Sequence, residues 1–377
     1  MPQGITFGPD SHKIHIINQF AGKRPFLFNL DILRAHGQFE HQIVVTIVLD
    51  SHIASELHKY RVSRQRMRGD IRQAIEEFLS YVTRYNFDYN PTFYLLESYF
   101  KSDPKVFVDK VAPVATSIVY LHSMDEERFL KTKEILLKPD AIDYYLTKFN
   151  VRTIEDCGRA WVEEYIGDSK KIDNLVQLIN LSYVCLLKMT LIHKKDKRPI
   201  EKKLDEFESF MTEELGLRLA RESHLAMYCF ADLAGSFIGV QAGMNFEKAK
   251  RILCASAWDI FLIRFPEQLL SPRYLPEMNL AFACTAEKKL AELGELLTLE
   301  RLLTRSDEEI SIPTVSMNLS KLEEKLGRDT ATRLMAASEE RTLQQILKKE
   351  RKAINHHKLR YLIEDLEVQL SYLCKSR

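Results

Sequence analysis

The chain has 377 residues, enough for two domains of ordinary size or for one domain carrying a large insertion. Hydrophobic residues make up 45% and charged residues 28%, which excludes a disordered, collagen-like or disulfide-framework protein. With 54 Lys and Arg against 53 Asp and Glu, the net charge is +1, so no global field draws the chain to nucleic acid or to a membrane, and polyanion binding needs a local patch.

The six cysteines, Cys157, Cys185, Cys229, Cys254, Cys284 and Cys374, form no CxxC pair and no zinc-spaced cluster with histidine. They are expected as reduced, mostly buried small hydrophobes. The start MPQGITFGPDSHKIHI lacks the basic residues and apolar run of a signal peptide, so the expected location is cytoplasmic.

Taken in chain order, His12 to Ile16 is a first strand candidate. Ile43 to Leu49 (IVVTIVL) is the clearest strand, a continuous β-branched run of the kind buried on both faces of a parallel sheet, and it ends on Asp50. Residues 68–85 carry Ile71, Ile75, Phe78, Leu79 and Val82 at helical spacing, and a loop at 86–90 ends that run. Asn90-Pro91-Thr92 opens a further helix, FYLLESYFKS. Val114 to Leu121 reads as strand or helix. Leu175 to Ile192 is the most apolar stretch; Gln177, Asn180, Ser182 and Lys188 within it favour a buried helix over a membrane span.

Ser223 to Gly239 and Asn245 to Gln268 predict two helices separated by a turn near Gly243. Leu280 to Cys284 is a short apolar strand running into Thr285-Ala286-Glu287 and a helix that starts KKLAELGELL. From about Ser320 onward the pattern is charged amphipathic helix. The fold class expected is α/β, helix-rich, with a short parallel sheet flanked by helices.

Four acids occupy unusual settings: Asp50 after an apolar strand, Glu97 inside FYLLESYF, Asp259 inside CASAWDIFLIRF, and Glu287 after LAFACTA. An isolated buried carboxylate is costly, and several converging at the carboxyl ends of parallel strands relieve that cost by holding a divalent cation. Oxygen ligands of this kind suit Mg²⁺ or Mn²⁺ rather than zinc. Taken singly, each acid also has an ordinary structural role. Asp50 can cap the helix beginning SHIASELHKY, and Glu287 can balance a helix dipole.

IVVTIVLDSHIASEL resembles the first strand and first metal-binding Asp of PIN-domain nucleases. SAWDIFLIRF resembles the helix carrying their third acid, and LAFACTAEKKLAEL their last motif, a strand followed by Thr-x-acid and a helix. The resemblance covers residues 43–105 and 220–300. It implies a PIN-like core in two parts, 1–109 and 221–312, separated by a helical insertion over 110–220 and followed by a helical tail over 313–377. It further implies a metal site of Asp50, Glu97, Asp259 and Glu287, with Thr285 as supporting hydroxyl and Asp232 as an accessory acid. The activity implied is Mg²⁺- or Mn²⁺-dependent phosphodiester hydrolysis, on RNA more than DNA, by an endoribonuclease of the toxin or antiviral defence kind. Glu287 departs from the family, which usually has Asp there.

Arg61, Arg64, Arg66, Arg68 and Arg72 crowd YRVSRQRMRGDIRQ and are candidates for phosphate binding, as is Arg264. Their structural alternative is a solvated face paired with Glu56, Asp70, Glu76 and Glu77. A protein partner or a second copy of the chain, bound through the insertion or the tail, is the other partner expected, and no membrane is. No GxSxG, P-loop, GxGxxG or HExxH motif occurs, which argues against serine hydrolase, P-loop and dinucleotide chemistry. The competing readings are a non-catalytic PIN-like scaffold or oligomerisation protein, and an all-α protein whose acids never meet.

Overall fold

A computed structural model describes residues 4–20, 26–29, 42–195, 197–270, 277–305, 310–347 and 355–375. Eight strands are seen among them: β1 (Gly4–Phe7), β2 (Ile14–Ile17), β3 (Phe26–Asn29), β4 (Gln42–Leu49), β5 (Asp88–Asn90), β6 (Glu277–Thr285), β7 (Leu297–Arg305) and β8 (Ile310–Met317). The first helices are α1 (Ser51–Ser63), α2 (Gly69–Arg84), α3 (Thr92–Lys101), α4 (Phe107–His122) and α5 (Glu126–Thr132). Next come α6 (Pro139–Phe149), α7 (Ile154–Gly167), α8 (Ser169–Lys195), α9 (Ile200–Ser209), α10 (Ala220–Phe230) and α11 (Phe246–Leu269). The last are α12 (Lys288–Leu296), α13 (Ser320–Leu326), α14 (Arg328–Leu347) and α15 (His356–Lys375).

The fold is α/β and strongly helical, with a small mixed sheet flanked by helices. That sheet has the order β1-β2-β6-β4-β5. Its inner part is parallel: β4 pairs with β6 from Gln42↔Glu277 to Leu49↔Cys284, and with β5 from Thr46↔Asp88 to Val48↔Asn90. The edge made by β1 and β2 is antiparallel, which the sequence pattern did not announce. A second sheet has the order β3-β7-β8.

The chain forms two compact units, residues 1–172 with 262–313, and residues 173–261 with 314–377. In the first unit β4 lies inside the sheet between β6 and β5, and the end of its apolar run, Ile47, Val48 and Leu49, is fully buried. Helix α2 covers the sheet with the stripe Ala74, Ile75, Phe78, Leu79 and Val82, all buried. Truncating a side chain such as Phe78 to Ala would cost about 3–5 kcal/mol. The stripe ends where Asn86 takes a left-handed φ of 51°.

Val114–Leu121, ambiguous in sequence, lies inside α4. Nearly every residue there is buried, including Thr116 and Ser117, so the helix has packing on all sides and no amphipathic period to reveal it. Against it lies α7, where Gly158 permits close approach. A Cβ added at Gly158 would sit 2.1 Å from the Thr116 hydroxyl oxygen and 2.5 Å from the Thr116 nitrogen.

The second unit is helical among its described residues, apart from the end of β8. Its long helix α8 carries the apolar stretch noted in sequence. By length and composition Ile172–Lys195 would suffice to cross a membrane, with mean hydropathy 1.7, but 67% of that window is buried within the protein, as in a core helix. Glu208 and Arg218 form a buried ion pair, Nε to Oε2 2.7 Å and Nη2 to Oε1 3.2 Å, and Arg218 also donates to the Ser338 hydroxyl at 2.8 Å. Near the chain end, Glu367 of α15 accepts from the Tyr183 hydroxyl at 2.8 Å and from Lys250 at 2.7 Å.

Candidate functional site

The carboxyl ends of β4 and β6 meet in the first unit. Asp50 is the residue at which β4 turns into α1, and its side chain caps that helix, Oδ1 accepting from the His52 amide at 2.5 Å. Its other oxygen, Oδ2, accepts from the Thr285 hydroxyl at 2.6 Å. Thr285 closes β6, and its hydroxyl in turn accepts from the Glu287 amide at 3.0 Å. The threonine proton is therefore committed to Asp50. Asp50 is only 8% exposed and Thr285 is fully buried.

Glu97, on α3, reaches the same region. Its Oε2 accepts from the Ser51 hydroxyl, on the residue next to Asp50, and its Oε1 pairs with Lys101 one helical turn on, at 2.5 Å. Glu287 is exposed at the N-terminal end of α12 and makes no side-chain cap bond to that helix. Burial pushes the Asp50 carboxyl above its ordinary range, against the Thr285 and His52 hydrogen bonds, and the charges of Glu287 and Glu97 push the same way. Asp50 thus feels both neighbouring carboxylates, and among the described residues no cation is hydrogen-bonded to it.

A feature missed in sequence borders this cluster. Glu56 of α1, 4% exposed, is held from two sides: His12 Nε2 at 3.1 Å and His52 Nε2 at 3.0 Å. The hydrogen bond to Glu56 raises the His52 pKa against the opposing effect of burial, and the Glu56 and Asp50 charges add to it. The signal available was the His52/Glu56 spacing of one helical turn just after Asp50; His12 comes from far away in sequence and had none.

The remaining candidates lie as follows. Asp259 is half-buried on α11 and belongs to the second unit. Asp232 is also in that unit, exposed, with a left-handed φ of 61° and His193 at 3.2 Å from its carboxylate. Arg61 donates to Ser117 Oγ at 2.8 Å and lies over the Tyr120 ring. Arg64 pairs with Glu76 at 2.8 Å and Arg68 with Asp70 at 2.5 Å. Arg66 is exposed, Arg72 is half-buried, and Arg264 is buried on α11.

The donor chemistry of Asp50, Glu97 and Glu287, all carboxylate oxygen, suits a hard divalent cation. Asp50 keeps lone pairs beyond the two it uses, since each ionised carboxylate offers about four acceptor positions. The side chains are not gathered into a ready cage: among the described residues no group of three or more His, Cys, Asp or Glu is disposed to hold a metal ion. Among known proteins, no family model, no curated protein and no solved structure matches the chain.

Proposed function

We propose that the protein is a Mg²⁺- or Mn²⁺-dependent phosphodiesterase acting on nucleic acid, an endoribonuclease cutting RNA more than DNA, in a toxin or antiviral role. The reading is carried by one observation: Asp50, buried at the carboxyl end of the β4 strand, takes its hydrogen bonds among the described residues from two neutral donors, the Thr285 hydroxyl and the His52 amide, while the charges of Glu287 and Glu97 oppose its own. Such a carboxylate is short of a cation. Asp50, Glu97 and Glu287 are the residues that would hold the ion, and Asp259 is the fourth acid of the PIN-like resemblance. When bound, the ion supplies an activated water and stabilises the leaving oxygen. Thr285 and the His52 amide fix the Asp50 carboxylate in place, and Ser51 does the same for Glu97.

A second reading, a non-catalytic PIN-like scaffold, is favoured by the Lys101–Glu97 pair, which already neutralises one of the acids. The experiment that separates them is cleavage of single- and double-stranded RNA and DNA in Mg²⁺, Mn²⁺ or EDTA, alongside Asp50→Asn. Cleavage dependent on metal and on Asp50 supports the nuclease. No cleavage and no effect of Mn²⁺ on stability leaves the scaffold.

A further inference from the structure

A second constellation lies toward the other end of the same sheet. Val44, Val45, Asp88 and Tyr89 of β4 and β5 line a cleft of about 470 Å³ with Tyr85, Phe87, His122 and Tyr145, a volume within the range of small-ligand sites. Val45 and Asp50 are five residues apart on an extended strand, so this cleft is roughly 16 Å from the acid cluster.

The polar groups here form a connected chain. His122 Nε2 faces two acceptors, Asp88 Oδ1 at 2.9 Å and the Tyr89 carbonyl at 3.0 Å, so Nε2 carries a proton. Nδ1 is hydrogen-bonded to the Tyr145 hydroxyl at 2.9 Å. The His122 and Tyr145 rings stack with centroids 5.9 Å apart, and Trp161 lies 6.1 Å from His122. Behind them an apolar cluster of Val119, Ile154 and Cys157 packs against Tyr145, Phe149 and Trp161, which fixes the rings.

What this leaves open is specific. Both internal bonds to Asp88, from His122 and from the Tyr89 amide at 2.9 Å, fall on Oδ1. The Asp88 side chain is 50% exposed, neither of these bonds uses Oδ2, and the Lys148 charge acts on the carboxylate from nearby. Tyr89 and Thr83 also border the cleft, but their hydroxyls are buried beneath it and face each other. Tyr85 and Phe87, with rings 5.9 Å apart, add aromatic surface, and no Lys or Arg lines the cleft.

We propose that this cleft binds a planar nitrogen heterocycle of the nucleobase class, its ring against the aromatic side chains and an N–H donated to Asp88 Oδ2. The rings supply stacking that any flat heterocycle can use. The half-exposed Asp88 carboxylate takes an N–H donor on the ring edge. An aliphatic ammonium ion would use the carboxylate but not the flat surface. The inference does not depend on the metal-site reading, since it concerns other residues.

Calorimetric titration with the four nucleosides tests it, with caffeine as a flat ring lacking any N–H and agmatine as an aliphatic cation. Trp161 emission gives a second readout. At least one nucleoside is expected to bind saturably, about tenfold or more tighter than caffeine and agmatine. Asp88→Asn keeps an acceptor for His122 and Tyr89 but turns an amide N–H toward the ligand. It should weaken nucleoside binding about tenfold or more, while Asp50→Asn leaves it unchanged. Tyr85→Ala, at an exposed ring, should weaken nucleosides and caffeine together. No saturable nucleoside binding at millimolar concentration overturns the proposal, as does equal binding by Asp88→Asn, or tighter binding of agmatine than of any nucleoside.

Discussion

Two buried carboxylates, one in each unit, are treated in opposite ways. Glu208 meets Arg218 in a two-bond ion pair, with side chains 7% and 2% exposed, and Ser338 takes another arginine hydrogen. Asp50 is buried to a similar degree and receives only a hydroxyl and an amide, with other carboxylates near it. A matched buried charge holds structure together, whereas an unmatched one is retained at a cost to stability. The contrast is the ground on which Asp50, and not Glu208, is proposed as a functional acid.

The largest expected effect comes from breaking the matched pair. Arg218→Ala would strand Glu208 and cost about 3–5 kcal/mol of unfolding free energy. Denaturant melts would measure this, and a loss below about 1 kcal/mol would erase the contrast. Next is His224, whose pKa burial and the Arg218 and Arg221 charges lower to about 4. The folded protein resists a proton that the unfolded chain accepts below about 6.5, so stability present above that pH drains away as pH falls toward 4. The loss attributable to this ring approaches about 3 kcal/mol, and His224→Gln should flatten that part of the pH profile.

A smaller effect of opposite sign is expected at the unmatched acid. Asp50→Asn should raise stability at neutral pH by about 1 kcal/mol in EDTA and abolish any rise in melting temperature given by Mn²⁺. A destabilised variant that still responds to Mn²⁺ would show that Asp50 serves the fold alone. The smallest effect belongs to the Glu56 clamp. Because His52 is raised by Glu56, its contribution is complete below about 6.5 and lost as pH climbs through its folded pKa. Stability differences between wild type and His52→Gln should therefore shrink with rising pH; a difference constant across that window would remove the clamp from the account.

The parallel core was legible because β4 and β6 are unbroken apolar runs, and helices α2, α3 and the C-terminal series because their apolar spacing or capping residues were plain. Short elements were not. β5 lies inside a stretch that reads as a loop, and Asp88, Tyr89 and Asn90 become a strand only because β4 offers them an edge. β1, β3, β7 and β8 were unannounced for a similar reason, since pairing rather than pattern defines them. At the site, the resemblance placed Thr285 as a supporting hydroxyl beside Asp50, and the two are hydrogen-bonded at 2.6 Å. The pairing of Arg64 with Glu76 and of Arg68 with Asp70 is the structural alternative the sequence offered, whereas the Lys101 partner of Glu97 and the Arg61 contacts with Ser117 and Tyr120 depend on rotamers that spacing does not determine. The Asp88–His122–Tyr145 chain joins three distant elements and left no local trace.

Strand β6, spanning Glu277–Thr285, sits between β2 and β4, strands that begin at Ile14 and Gln42. A ribosome making this chain therefore releases the N-terminal strands long before the strand that joins them. The stretch of residues 173–261, whose own partners at 314–377 come later still, is made in the interval, while Asp50 waits for Thr285. Any activity that rests on this pair is withheld through most of synthesis, and a transcript broken before β6 yields a chain with the first acid but no site.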